Sequence, residues 1–113
     1  ELKSIVFKTV GVEGALKQAL AKIKSIELAF IYGSFAKKSE SGVSDIDLFI
    51  IGDINEDSLI GEIRKAEDAL KREINYTLYA RGEFKNKKAK KDSFILNLIE
   101  NPKIFLLGNK NEL

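Results

Sequence analysis

The sequence has no cysteine and no histidine. The first absence excludes disulfides, zinc–thiolate sites and cysteine nucleophiles. The second removes the commonest general base and with it any Ser-His-Asp arrangement. Methionine and tryptophan are also missing. Long hydrophobic runs are absent too: Leu28 to Tyr32 and Leu48 to Ile51 are strand-sized, far short of the roughly 20 residues a spanning helix needs. The chain does not open on the basic, apolar and small-residue succession of a secretory signal. The cytoplasm is therefore the expected compartment, with no membrane partner. A net charge of +2 is too small to argue for nucleic acid. With no methionine at position 1, we read residues 1–113 as one domain cut from a longer chain.

What remains for chemistry is carboxylates, hydroxyls, lysines and backbone amides, a set suited to hard cations held by oxygen. The apolar fraction of 44% supports a single core. From Leu2 to Ile26 apolar residues recur at helical spacing (Ile5, Val6, Val10, Val12, Leu16, Leu20, Ile23). Gly11 and Gly14 interrupt that pattern, so a break near Gly11 and a firmer helix from Glu13 to Lys24 are expected. Leu28 to Tyr32 reads as a buried strand stopped by Gly33. One helical turn can follow from Ser34 to Lys38, and then a polar loop to Ser44. Asp45 to Ile51 is a second strand. Leu59, Ile60, Ile63, Ala66, Ala69 and Leu70 stripe a second helix whose start is rich in capping residues. Glu73 to Tyr79 alternates as a half-exposed third strand. A Lys-rich helix runs from Gly82 to the Asn101-Pro102 stop, and Lys103 to Leu107 is a fourth strand. This order implies an α/β (α+β) fold with one mixed sheet flanked by helices.

Asp45 and Asp47 lie two apart at the start of a strand, so both carboxylates leave the same face. Two like charges so placed are costly without a cation, and Mg2+ would offset that cost. Gly33-Ser34 follows a buried strand and precedes a helical turn, which leaves backbone N–H groups facing an anion. Lys37 sits one turn later. Either feature alone is commonplace, Asp-x-Asp as a strand-edge pair and Gly-Ser as a turn. Together, at the ends of two apolar strands, they are far more specific.

Gly33-Ser34-Phe35-Ala36, followed after an interval by Ser44-Asp45-Ile46-Asp47-Leu48, resembles the signature of the polymerase-β-like nucleotidyltransferase superfamily. The likeness is strongest to its minimal prokaryotic members, the MNT domains. That resemblance implies the superfamily's fold and a transfer of a nucleoside monophosphate from an NTP, ATP being favoured, to an acceptor hydroxyl. It implies that Gly33 and Ser34 bind the triphosphate, with Lys37 and Ser44 at further nucleotide-binding positions. Asp45 and Asp47 become the catalytic residues and the ligands of Mg2+ or Mn2+. Arg72 to Tyr79, Gly82-Glu83-Phe84 and Pro102 to Gly108 look like a subgroup that follows winged-helix DNA-binding domains. This implies an upstream winged-helix domain or a separate partner protein, and leaves direct nucleic-acid binding by this domain open.

The resemblance fails at one position. Active members carry a third carboxylate on the next core strand, and here that place falls to Asn75, which is neutral and cannot accept a proton. Asn75 and Glu73 are thus the candidate third-ligand positions, Glu73 lying two residues earlier on the same face, about 7 Å along the strand. A weakly active or inactive nucleotide-sensing module is therefore the alternative function. Elsewhere the plainer readings are favoured. Lys85, Lys87, Lys88, Lys90 and Lys91 form a solvated helix face. Tyr32, Tyr76 and Tyr79 pack against the core or strand surface. Asp53, Glu56 and Asp57 belong to a helix start, while Arg64 and Arg72 are surface or helix-end charges.

Overall fold

The computed structural model describes residues 2–37 and 45–113, with side chains from residue 11 onward. Its elements are α1 (Leu2–Ala21), β1 (Ile26–Tyr32), α2 (Gly33–Lys37), β2 (Ile46–Gly52), α3 (Glu56–Leu70), β3 (Ile74–Tyr79), α4 (Arg81–Ala89), α5 (Ser93–Glu100), β4 (Ile104–Leu107) and a short 3-10 turn, Lys110–Glu112. The sheet order is β3-β2-β1-β4. β1 runs antiparallel to both β2 and β4, and β2 runs parallel to β3 through the α3 crossover. The expected mixed α+β sheet is thus the observed one.

The two central strands carry the continuous apolar runs because both of their faces are covered. Ala29, Ile31, Ile46, Leu48 and Ile50 join Leu16, Leu20, Leu59 and Ile63 in a core beneath α1 and α3. Leu28, Phe30, Phe49 and Ile51 face the opposite way and meet Phe84, Ile95 and Leu98 of α4 and α5. Phe49 is the hub of that second core: its ring centroid lies 5.1 Å from Phe30, 5.4 Å from Tyr79 and 5.9 Å from Phe84. The edge strand β3 is half-exposed, as its alternation suggested.

The helices depart from the sequence expectation in three ways. α1 passes through Gly11 and Gly14 without a break. A glycine inside a helix costs only about 1 kcal/mol, and Val12, Leu16, Ala19 and Leu20 keep a buried stripe that offsets it. α1 also stops at Ala21, not Lys24; Lys22 and Ile23 bond back to Ala19 and Leu20 in a tightened last turn. The Lys-rich helix is two helices. Lys91 takes a left-handed φ of 58°, and the Asp92 carboxylate accepts from the backbone N–H groups of Phe94 (2.9 Å) and Ile95 (3.2 Å), starting α5 afresh. At α3 the cap is Asn55, which accepts from the Ser58 N–H at 3.1 Å, with Glu56 and Asp57 in the first turn.

Candidate functional site

Tyr32, Asp47 and Asn75 form one row across three strands. Asp47 pairs with Tyr32 in the antiparallel ladder and with Asn75 in the parallel one. The next row inward is Ile31, Leu48 and Tyr76, and the one after it Phe30, Phe49 and Thr77. The polar row therefore closes the apolar rows at the end of the sheet where β1 stops. Asp45 stands just before β2 and is exposed, while Asp47 is half-buried. The two-residue spacing places both on the face that carries Phe49.

Gly33 joins the two halves of the motif. It leaves β1 with φ +75°, a left-handed conformation, and opens α2. A Cβ added there would meet Asp47 Oδ2 at 2.4 Å and Asp47 Cγ at 3.3 Å. The Asp47 carboxylate thus occupies space that any other residue at position 33 would claim. Ser34 is the exposed second residue of α2 and Lys37 its exposed last. The first turn of such a helix has backbone N–H groups without intrahelical partners. Ser44, the remaining nucleotide-binding expectation, lies outside the described residues.

Asn75 stands level with Asp47, where the third carboxylate was expected, and its Nδ2 donates to Asp45 Oδ2 at 3.3 Å. Glu73 precedes β3 and is exposed; its backbone carbonyl accepts from the Ile46 N–H at 2.9 Å. Among the described residues no third Asp, Glu, His or Cys gathers with the aspartates into a metal-holding cluster. The donor set is nonetheless that of a hard cation. Two carboxylates share one face, one of them open to solvent, and oxygen is the only ligand type they offer.

Side chains away from the motif hold β3, and so Asn75, in place. Glu67 of α3 accepts from the Ile74 N–H at 2.8 Å. The Tyr76 hydroxyl donates to Glu56 at 2.5 Å. That hydrogen bond, together with burial and the Glu56 charge, raises the Tyr76 pKa above its usual 10.0. Arg72 is a site neighbour that sequence reasoning missed. Its guanidinium lies over the Phe35 ring of α2, 5.3 Å from the centroid. No motif or periodicity marks this contact, because it links residues far apart in sequence. The basic cluster behaves as a helix face: Lys85, Lys88, Lys90 and Lys91 are exposed, and Lys87 lies over Tyr79 at 5.7 Å. Among the described residues no helix is long and apolar enough to cross a membrane.

A family model described as polymerase beta, nucleotidyltransferase matches residues 15–108. No curated protein matches the chain. Solved structures share its fold at low identity. A toxin–antitoxin complex with AMP-PNP is 16% identical, with a TM-score of 0.60 over 88% of this chain and 76% of that one. A mutant of the toxin–antitoxin MntA-HpeT is 13% identical, with a TM-score of 0.62 over the same shares, 88% and 76%. A tri-AMPylated HEPN toxin of Shewanella oneidensis in complex with MNT antitoxin is 15% identical, with a TM-score of 0.58 over 92% and 76%.

Proposed function

The chain belongs to the polymerase β nucleotidyltransferase family, and from that premise we propose that this domain binds an NTP with Mg2+ or Mn2+ and passes its nucleoside monophosphate to an acceptor hydroxyl. The observation that carries the proposal is the contact between Gly33 and Asp47, whose side chain fills the space of a Cβ at 2.4 Å. That contact supports reading the phosphate half and the carboxylate half of the motif as one site. Asp45 and Asp47 would hold the cation, which when bound neutralises phosphate charge and aligns the reacting groups. Gly33 lets the backbone approach the phosphates, and Ser34 adds a hydroxyl donor beside the free amides of the first α2 turn. Lys37, exposed one turn on, would pair with outer phosphate oxygens. The acceptor oxygen bonds to the α-phosphorus, the bond to the β-phosphate oxygen breaks, pyrophosphate leaves, and the hydroxyl proton passes to water. Catalysis of this kind is chiefly positioning and charge compensation.

Two similar folds favour ATP as the donor, one solved with AMP-PNP and one with a tri-AMPylated toxin. Both are toxin–antitoxin complexes, which supports a separate protein as the partner and acceptor here. An attached winged-helix domain is the other arrangement the sequence resemblance suggests. Asn75 favours a second reading, in which the domain binds nucleotide but turns it over weakly and regulates its partner. A melting series separates these. Mg-ATP should raise the melting temperature of the wild type, since a ligand of the native state stabilises it by mass action. Asp45→Asn with Asp47→Asn should abolish the rise. Transfer of labelled AMP to a partner protein then marks the enzyme; a rise without any transfer marks the sensing module. No rise with any nucleotide or divalent ion defeats both.

A further inference from the structure

We infer that the exposed Phe94 ring, backed by Tyr32 and Phe49, is the surface on which the base of the bound nucleotide stacks; the inference rests on the nucleotide reading of Gly33, Ser34, Asp45 and Asp47 given above. Phe94 and Leu96 are the large apolar side chains left exposed among the described residues, at 39% and 40%. Residues two apart on a helix do not share a face, so these two do not make one broad apolar patch. α5 buries Ile95 and Leu98 in the second core and brings Phe94 to the end of β1. There its ring centroid lies 6.1 Å from that of Tyr32, edge against face at 74°, and 6.4 Å from that of Phe49.

Tyr32 sets that ring beside the site. It pairs with Asp47 across the antiparallel ladder, with about 5 Å between the Cβ atoms of such a pair. It is also bonded to Gly33, where the phosphate half of the motif begins. Asp47, Tyr32 and Phe49 share one face of the sheet, so Phe94 stands on the carboxylate side. With the phosphates at Gly33 and Ser34 and the cation at Asp47, the nucleoside end of the ligand lies across this face, and Phe94 is the open aromatic surface there. The ring is fixed in advance: the Asp92 carboxylate holds the α5 start through the Phe94 and Ile95 N–H groups, and Tyr32 and Phe49 support the ring from behind. A base laid on its free side covers apolar surface that water now meets. Stacking accepts any base because each has a π-face, and its strength sets modest preferences. The larger purines should therefore bind more tightly than pyrimidines.

Calorimetric titration of the full chain compares Mg-ATP with Mg-tripolyphosphate, which carries the phosphates without a base. Phe94→Ala should weaken Mg-ATP by about 5- to 150-fold, the range for one stacked base, and leave Mg-tripolyphosphate unchanged. It should also erase the wild-type preference for ATP over UTP. The chain has no tryptophan, so Phe94→Trp introduces a single indole fluorophore, which Mg-ATP should quench and Mg-tripolyphosphate should not. Unchanged Mg-ATP affinity in Phe94→Ala would overturn the inference while leaving the site reading intact; a fall in AMP transfer to a partner protein in that variant would then make the ring a protein contact instead. Equal losses for the two ligands would overturn it as well, since the base would play no part. Should Phe94→Ala fail to fold by circular dichroism, the Phe94→Trp fluorescence decides, and saturation with Mg-ATP without quenching overturns the inference. A wild type that binds neither ligand would instead remove the underlying site, and the inference with it.

Discussion

Substituting Gly33 by alanine puts the central contact of the site under direct test. Two costs arise and can be separated. Position 33 has φ +75°, and a left-handed conformation costs an L-residue about 1–2 kcal/mol. The added methyl also lies 2.4 Å from Asp47 Oδ2, about 1 Å inside ordinary contact. Asp47 can yield only by leaving its rotamer, at about 0.5–1.5 kcal/mol. The sum is about 1.5–3.5 kcal/mol, a loss of roughly 6–25 °C in melting temperature for a domain of this size.

Urea unfolding of four proteins apportions that sum: wild type, Gly33→Ala, Asp47→Ala and the double variant. Without the Asp47 carboxylate the nearest remaining Asp47 atom is Cβ at 3.6 Å, an ordinary contact. Gly33→Ala should therefore cost about 1 kcal/mol less in the Asp47→Ala background than in the wild type. Equal losses in the two backgrounds would refute the argument, since the collision would then contribute nothing and only the backbone conformation would matter. Gly33→Ala should also lose the Mg-ATP melting shift out of proportion to its stability loss, because relieving the collision moves a proposed ligand.

Other substitutions probe the scaffold around the site. Phe49→Ala, at a ring in contact with Phe30, Tyr79 and Phe84, should cost about 3–5 kcal/mol in urea melts; a loss below 1 kcal/mol would mean this core is not packed as described. Arg72→Ala should destabilise by about 0.5–1 kcal/mol and couple to Phe35→Leu in a double-mutant cycle, whereas additive losses would dismiss the ring contact. Tyr76 has a raised pKa in the folded state, so its contribution is fully present below pH 10 and falls away as pH climbs from there through the folded value. Wild-type stability should accordingly decline more steeply above pH 10 than that of Tyr76→Phe, and parallel curves would contradict the Tyr76–Glu56 hydrogen bond.

The parts legible in the sequence are those governed by local pattern. Leu28 to Tyr32 and Leu48 to Ile51 read as doubly covered strands because every residue in them is apolar, and α3 read as a helix because its stripe has period 3.6. Asp45, Asp47 and Gly33-Ser34 were legible as a motif for the same reason, each sitting at the end of an unambiguous strand. What escaped was set by contacts between distant segments or by a choice among near-equal local signals. Gly11 reads as a break locally, yet the buried stripe that follows it carries α1 through. Asp92-Ser93 was a capping signal hidden within a lysine-rich helical pattern. Arg72 looked like a helix-end charge, and only the fold lays it on Phe35.

The same division separates Asp47 from Asn75, the position at which the sequence resemblance called for a third carboxylate. Asp47 is carried by β2, whose neighbours Leu48, Phe49, Ile50 and Ile51 are fully buried. Its position is fixed from both faces, and Gly33 is shaped around its carboxylate. Asn75 is carried by β3, the half-exposed edge, and depends on the Glu67 contact to Ile74 and the Tyr76 contact to Glu56 for its register. An uncompensated carboxylate at that edge would repel Asp45 and Asp47 whenever no cation was present. The amide replaces that repulsion with a hydrogen bond to Asp45. That bond ties the β3 edge to Asp45, just before β2.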